Sequence, residues 1–313
     1  MNSIPVIDFA KVSESNKEIS EKVKCALANV GFLYIINHGV DMSKIRNAFA
    51  QSKLFFEQPD DVKRIFRQNP SVTGYVGWVE PGQEFHSKLE SDTNIVPELR
   101  ECYDYPVHGD GFEETEFQRS IRGLMEECHP VLEHLFRILA RSLDLDDEDF
   151  FVNTVRCLNH SDVSSLTTVR STYYPPITDT ISEGSTRCEE HADYGLVTLL
   201  FQDDMGGLEA KTVDGSWIPV QPIKDSIVVN TGELLEYWTG GYFPATRHRV
   251  VVPSDEVKKK CSRQSLVYFI QPDDAVDVVP LRPDSSGVLQ PPVNSRQHSM
   301  VRLETTYGLD TPK

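Results

Sequence analysis

Three residues of this 313-residue chain stand where their side chains could share one divalent metal. His191 and Asp193 are two positions apart in "CEEHADYGLVTLLFQDDMGGLEA", and His248 lies in a second strand-like run, "ATRHRVVV". In an extended segment side chains alternate faces, so a strand would aim His191 and Asp193 at one point. Two neutral imidazoles and one carboxylate cover one face of an octahedral ion and leave three positions open, the arrangement used with Fe(II) in oxygen chemistry. The same ligands plus water suit a zinc hydrolase, and spacing does not separate the two metals.

A second constellation narrows the choice. In "SRQSLVYF", Arg263 and Ser265 are again two apart and share a strand face. A guanidinium beside a hydroxyl makes a charge-assisted seat for a carboxylate. A metal with a carboxylate seat implies an acidic co-substrate, and a zinc hydrolase gives no reason for the pair. Cys188, three residues before His191, is read as a structural thiol rather than a ligand. His129 and His134 have no partner at ligand spacing and read as solvated or capped.

These residues need elements to position them. "SIPVIDFA" and "FLYIINHG" read as short strands around a helix over "NKEISEKVKCALANVG", with Gly31 at its end. A second amphipathic helix runs from Met42 to Phe56. A long one covers Phe117 to Leu145, with Ile121, Leu124, Met125, Cys128, Leu132, Leu135 and Leu139 as its apolar face and Pro130 as a kink. After about Ser165 the texture changes to short β-rich runs separated by turns, the pattern of a sandwich or barrel. The run "SDEVKKK", Ser254 to Lys260, reads as a solvated loop.

The formal net charge of −17 repels phosphate backbones and anionic lipid heads, so neither nucleic acid nor membrane is an expected partner. No apolar run approaches the roughly 20 residues needed to cross a bilayer. The six cysteines form no CxxC pair and no disulfide framework. A soluble cytoplasmic protein with reduced thiols is expected, with a monomer as the plausible state.

Taken together, "IPVIDFA", "GFLYIINHGV", "YYPP", "HAD", "GGLEA" followed by "WIPVQP", "VVNTGELLEYWTGG", "RHRVVV", "RQSLVYF", "PPVNSRQH" and "TTYG" resemble the Fe(II)/2-oxoglutarate-dependent dioxygenases of the isopenicillin N synthase-like superfamily. Any one of these stretches is a weak signal, whereas their order and spacing are specific. The resemblance implies an α+β chain with a mainly β core, a double-stranded β-helix or jelly roll flanked by helices. It implies that His191, Asp193 and His248 bind Fe(II), and that the distal carboxylate of the co-substrate 2-oxoglutarate meets Arg263, Ser265 and Tyr174. Thr172 stands where many members have asparagine. The implied reaction consumes O2, releases succinate and CO2, and hydroxylates a small-molecule substrate, with ascorbate as a stimulant.

The expected organisation is an N-terminal region over 1–116, scaffold helices over 117–164, the jelly-roll core over 165–272 and a C-terminal extension over 273–313 packing on the core. Substrate-selecting residues are expected in about Ser71 to Tyr105 and after Pro280. Tyr75, Trp78, Tyr103 and Phe269 are candidates for either the pocket or the core, and Asn37 and His38 read as a structural turn. Two alternatives remain at this level: an iron oxidase of the same fold that needs no 2-oxoglutarate, and a metal-bound sensor without turnover.

Overall fold

A computed structural model describes residues 3–11, 17–69, 75–84, 98–109, 113–178 and 186–307. The N-terminal part runs β1 (Val6–Asp8), α1 (Lys17–Asn29), β2 (Phe32–Ile36), α2 (Met42–Phe56), α3 (Asp60–Lys63), β3 (Gly77–Val79), β4 (Glu101–Pro106) and α4 (Glu116–Ser142). Then follow β5 (Thr168–Tyr174), β6 (Cys188–His191), β7 (Val197–Gln202), β8 (Leu208–Lys211), β9 (Trp217–Pro219), β10 (Ser226–Thr231), α5 (Glu233–Trp238) and β11 (His248–Val250). The chain continues through α6 (Glu256–Lys259), β12 (Arg263–Ile270), β13 (Asp277–Val278), β14 (Val293–Asn294) and α7 (Ser295–Thr306).

Local chemistry sets the ends of the helices. Asp41 accepts from Ser43 N at the start of α2, and Thr115 forms a reciprocal capping box with Gln118 at the start of α4, tying down N–H groups that have no helical partner. Gly31, after α1, has φ +69°, and a Cβ there would overlap Thr246 Oγ1, so both conformation and space require glycine. α4 continues through Pro130.

Eight strands form the major sheet in the order β1-β2-β10-β7-β12-β5-β4-β3, and four form the minor sheet in the order β6-β11-β8-β9. Among the described strands of the major sheet only β1 and β2 pair in parallel, the other pairs being antiparallel. Strand alternation divides the core in two. Leu33, Ile35, Leu199, Val229, Leu266 and Tyr268 pack with the apolar faces of α1, α2 and α4. Phe32, Tyr34, Leu200 and Val228, one residue out of phase, pack with Leu208, Ala210 and Val250 of the minor sheet. The helices thus cover one face of the major sheet, and the space between the two sheets is left for the site. Among the described residues no helix is long and apolar enough to cross a membrane.

Two expectations need correction. The run read as a solvated loop contains α6, a single turn whose N-cap Asp255 accepts from Val257 N and Lys258 N. His129 is not solvated: it is half-buried, its Nε2 has no hydrogen-bond partner among the described residues, and burial lowers its pKa. His134 packs edge-on to Phe9.

Candidate active site

His191 and Asp193 do not share a strand. His191 is the last residue of β6 and Asp193 lies just beyond it, in the turn by which the chain leaves the minor sheet and enters the major one at β7. The same-face argument therefore gives the right neighbours for the wrong reason. Tight packing fixes the turn. Glu233 N donates to Asp193 O at 2.8 Å, and Gly232 sits so close to Gly195 that a Cβ would overlap its carbonyl. β11 pairs with β6 and sets His248 opposite His191.

The three side chains converge. One ligand atom from each of His191, Asp193 and His248 lies within 4.8 Å of the others. Asp193 Oδ1 stands 3.8 Å from His191 Nε2 and 3.7 Å from His248 Nε2. Each imidazole turns its other nitrogen to a main-chain carbonyl, His191 Nδ1 to Glu189 O at 2.8 Å and His248 Nδ1 to Thr246 O at 3.1 Å. A carbonyl only accepts, so each Nδ1 carries the proton and each Nε2 presents a lone pair. Asp193 Oδ2 accepts from Thr198 Oγ1 and Asn230 Nδ2, both at 2.6 Å, which leaves Oδ1 toward the histidines. Cys188 Sγ lies 3.7 Å from His191 Nδ1, on the side of the ring away from this cluster. Burial pushes its thiol pKa far up, so it offers no thiolate.

A small cavity runs from this cluster to Arg263, Ser265 and Tyr174. Arg263 is 1% exposed. Its Nε donates to Gly206 O at 2.8 Å, its Nη1 lies 3.5 Å from Ser265 Oγ, and its Nη2 lies 3.5 Å from Gln202 Oε1. Among the described residues no carboxylate forms an ion pair with it. Tyr174 meets the guanidinium with its ring, whose centroid is 4.7 Å from Cζ.

A second cavity of about 370 Å³ shares His191, Asp193, Arg100, Arg170 and Phe269 with the first. Its volume suits a ligand of moderate size. Met300, Leu303 and Thr306 of α7 form one wall, and Tyr75 and Phe269 line it, whereas Trp78 and Tyr103 belong to the core. Of the stretch expected to select the substrate, residues 71–74 and 85–97 lie outside the described residues. Along another wall runs a buried ionic network. Arg170 grips Asp104 with two hydrogen bonds of 2.8 and 2.7 Å and reaches Glu84 at 2.8 Å. Arg100 lies 2.9 Å from Glu84 and 2.6 Å from Glu98. Tyr307, just past α7, donates to Glu84 Oε1 at 2.6 Å. Burial raises the Asp104 pKa, and the Arg170 charge opposes that rise.

Sequence reasoning missed Thr198, Asn230 and this network. The available signal was a polar residue inside an otherwise apolar strand, as in "LVTLLF", "IVVNT" and "TTVRSTYY". Such a residue is costly to bury unless it has a partner.

Two family descriptions match the chain. The 2OG-Fe(II) oxygenase superfamily matches residues 157–272, and the N-terminal region of non-haem dioxygenases in morphine synthesis matches residues 4–123. A 2-oxoglutarate-Fe(II) type oxidoreductase of Metarhizium majus is 31% identical over 97% of this chain and 95% of its own length. A proline hydroxylase of Petromyces alliaceus is 29% identical over 96% and 97%. Among solved structures, a full-length Neurospora crassa protein in complex with alpha-KG and thymine superposes with a TM-score of 0.83 at 26% identity, over 97% of both chains. The chain belongs to the 2OG-Fe(II) oxygenase superfamily, and its two facing sheets are the jelly roll of that family. It is a non-haem Fe(II)- and 2-oxoglutarate-dependent dioxygenase acting on a small molecule, which sets aside the zinc hydrolase, the sensor and the oxidase that needs no 2-oxoglutarate.

Proposed function

We propose that His191 Nε2, Asp193 Oδ1 and His248 Nε2 hold the Fe(II), and that Arg263 and Ser265 seat the distal carboxylate of 2-oxoglutarate against the ring of Tyr174. The donor set fits: two nitrogens and one oxygen, each oriented by a hydrogen bond behind it, with no sulfur among them. The observation that carries the reading is one cavity with this cluster at one end and, at the other, a buried guanidinium that forms no ion pair with a carboxylate among the described residues.

When bound, Fe(II) and 2-oxoglutarate supply an oxidative decarboxylation in which O2 is consumed, succinate and CO2 are released, and one oxygen atom goes to the substrate. The residues of the chain provide placement. Thr198 and Asn230 hold the Asp193 carboxylate in one orientation, so no reorganisation of that ligand is needed during turnover. Arg263 and Ser265 fix the far end of the co-substrate and thereby the direction of its other end. The larger cavity receives the substrate, with α7 and Phe269 keeping its apolar parts from water and the Arg170–Asp104–Glu84 network presenting a fixed polar wall. Hydroxylation of a small organic molecule is the reaction this arrangement supports.

The test supplies Fe(II), 2-oxoglutarate, ascorbate and O2 together with small-molecule extracts, and follows products by mass spectrometry. A compound that gains one oxygen in step with succinate is expected. Substrate-dependent succinate with no oxygen gained by any compound would replace hydroxylation by desaturation or ring closure.

A further inference from the structure

Arg187 is 1% exposed and forms no ion pair with any carboxylate among the described residues. Its Nη2 donates to Cys261 O at 3.3 Å, and its Nε is buried without a hydrogen-bond partner among the described residues. Its Cζ is 5.9 Å from the centroid of the Tyr174 ring, the same ring that Arg263 approaches at 4.7 Å. Two buried guanidinium groups thus pack on one tyrosine. Among the described residues the carboxylate felt by both is Asp203, but its oxygens are taken by main-chain N–H groups, Oδ1 by Met205 and Oδ2 by Gln264. Burial and then the charge of Arg263 hold the Arg187 pKa below its ordinary value. A lone buried charge is costly to a fold, and two like charges side by side are more so. Among the described residues, two cations here face one carboxylate, a balance one negative charge short.

We propose that Arg187 is a second cationic residue of the co-substrate seat, acting through space across Tyr174: the charge it leaves uncompensated in the free protein is balanced by the distal carboxylate of 2-oxoglutarate on Arg263. The inference rests on the assignment of Arg263 and Ser265 as that seat. Arg187 does not line the cavity, so it is a positioning residue that sets the potential there and makes no contact with the ligand. The arrangement selects for a fully charged distal group. Because the pair is buried, salt screens it little.

The proposal separates from a structural role by the sign of two effects. Methionine has a similar volume and no charge. In Arg187→Met the free protein should therefore melt at or above the wild-type temperature, while 2-oxoglutarate binding to the Fe(II)-loaded protein, titrated without O2, weakens roughly tenfold. Arg187→Lys keeps the charge and should recover most of that affinity. Oxalate chelates the metal and carries nothing that reaches Arg263, so its affinity should be the same in all three proteins. A lower melting temperature in Arg187→Met with unchanged 2-oxoglutarate affinity would overturn the proposal and make Arg187 a packing residue; equal loss of oxalate and 2-oxoglutarate would do so as well. An Arg263→Met arm keeps the underlying assignment separate. If that variant binds 2-oxoglutarate like wild type, the seat itself has been misplaced.

Discussion

Thr198→Val removes one hydroxyl from behind the proposed metal ligand Asp193 and keeps the shape of the side chain. In the wild type Asp193 Oδ2 accepts from Thr198 Oγ1 and from Asn230 Nδ2, each at 2.6 Å, and both donors are 2% exposed. Water does not readily replace a donor at that depth. A hydrogen bond to a charged group contributes about 1.5–3 kcal/mol. If all of that orients Oδ1 toward the histidines, its loss lowers Fe(II) affinity roughly 10- to 100-fold, the range found when partners behind metal ligands are removed. Asn230→Leu should have an effect of similar size. The double variant should lose less than the sum, because the remaining carboxylate can turn once either restraint is gone. Anaerobic titration with Fe(II), or with Co(II) as a spectroscopic probe, measures it. Wild-type metal affinity in Thr198→Val would refute the idea that Oδ2 is the oriented, non-ligating oxygen.

Four further outcomes are expected. Asp193→Ala loses most metal affinity and turnover, checked by iron content and succinate release. Arg263→Ala binds 2-oxoglutarate far more weakly and Arg263→Lys falls between it and wild type, since lysine keeps the charge but not the planar fork; Fe(II) affinity is unchanged in both. Cys188→Ser retains wild-type iron binding, because the thiol faces the protonated Nδ1 of His191. Leu135→Ala, at a fully buried position of α4, lowers stability by about 2–5 kcal/mol in denaturant unfolding.

Much of the scaffold was legible because its elements repeat a simple period. α2 runs over Met42–Phe56 as the apolar spacing indicated, and α4 begins at Glu116, where Thr115 and Gln118 cap it. The β-rich runs after Ser165 each contain a strand, since Val, Ile, Leu and aromatic residues alternate between two buried faces. What stayed hidden depends on contacts far apart in sequence. α7 has a weak apolar stripe, and it packs by polar contacts such as Arg302 and His298 on Glu233, which leave no periodic trace. The Arg170–Asp104 pair joins neighbouring strands 66 positions apart. The approach of His191 to Asp193 was visible as spacing, but the cause is a turn between sheets held by Glu233 and Gly232, which no local pattern reveals.

The central claim is that a single buried cavity holds the metal at His191, Asp193 and His248 and the far carboxylate of 2-oxoglutarate at Arg263 and Ser265. Its most direct test is a crystal structure of protein loaded with Fe(II) and 2-oxoglutarate without O2, with diffraction recorded on both sides of the iron absorption edge. The account predicts one iron peak bounded by His191 Nε2, Asp193 Oδ1 and His248 Nε2, with a carboxylate of the ligand against Arg263 and Ser265 Oγ. Iron coordinated by another set of side chains, or a co-substrate whose two carboxylates both lie away from Arg263, would contradict it.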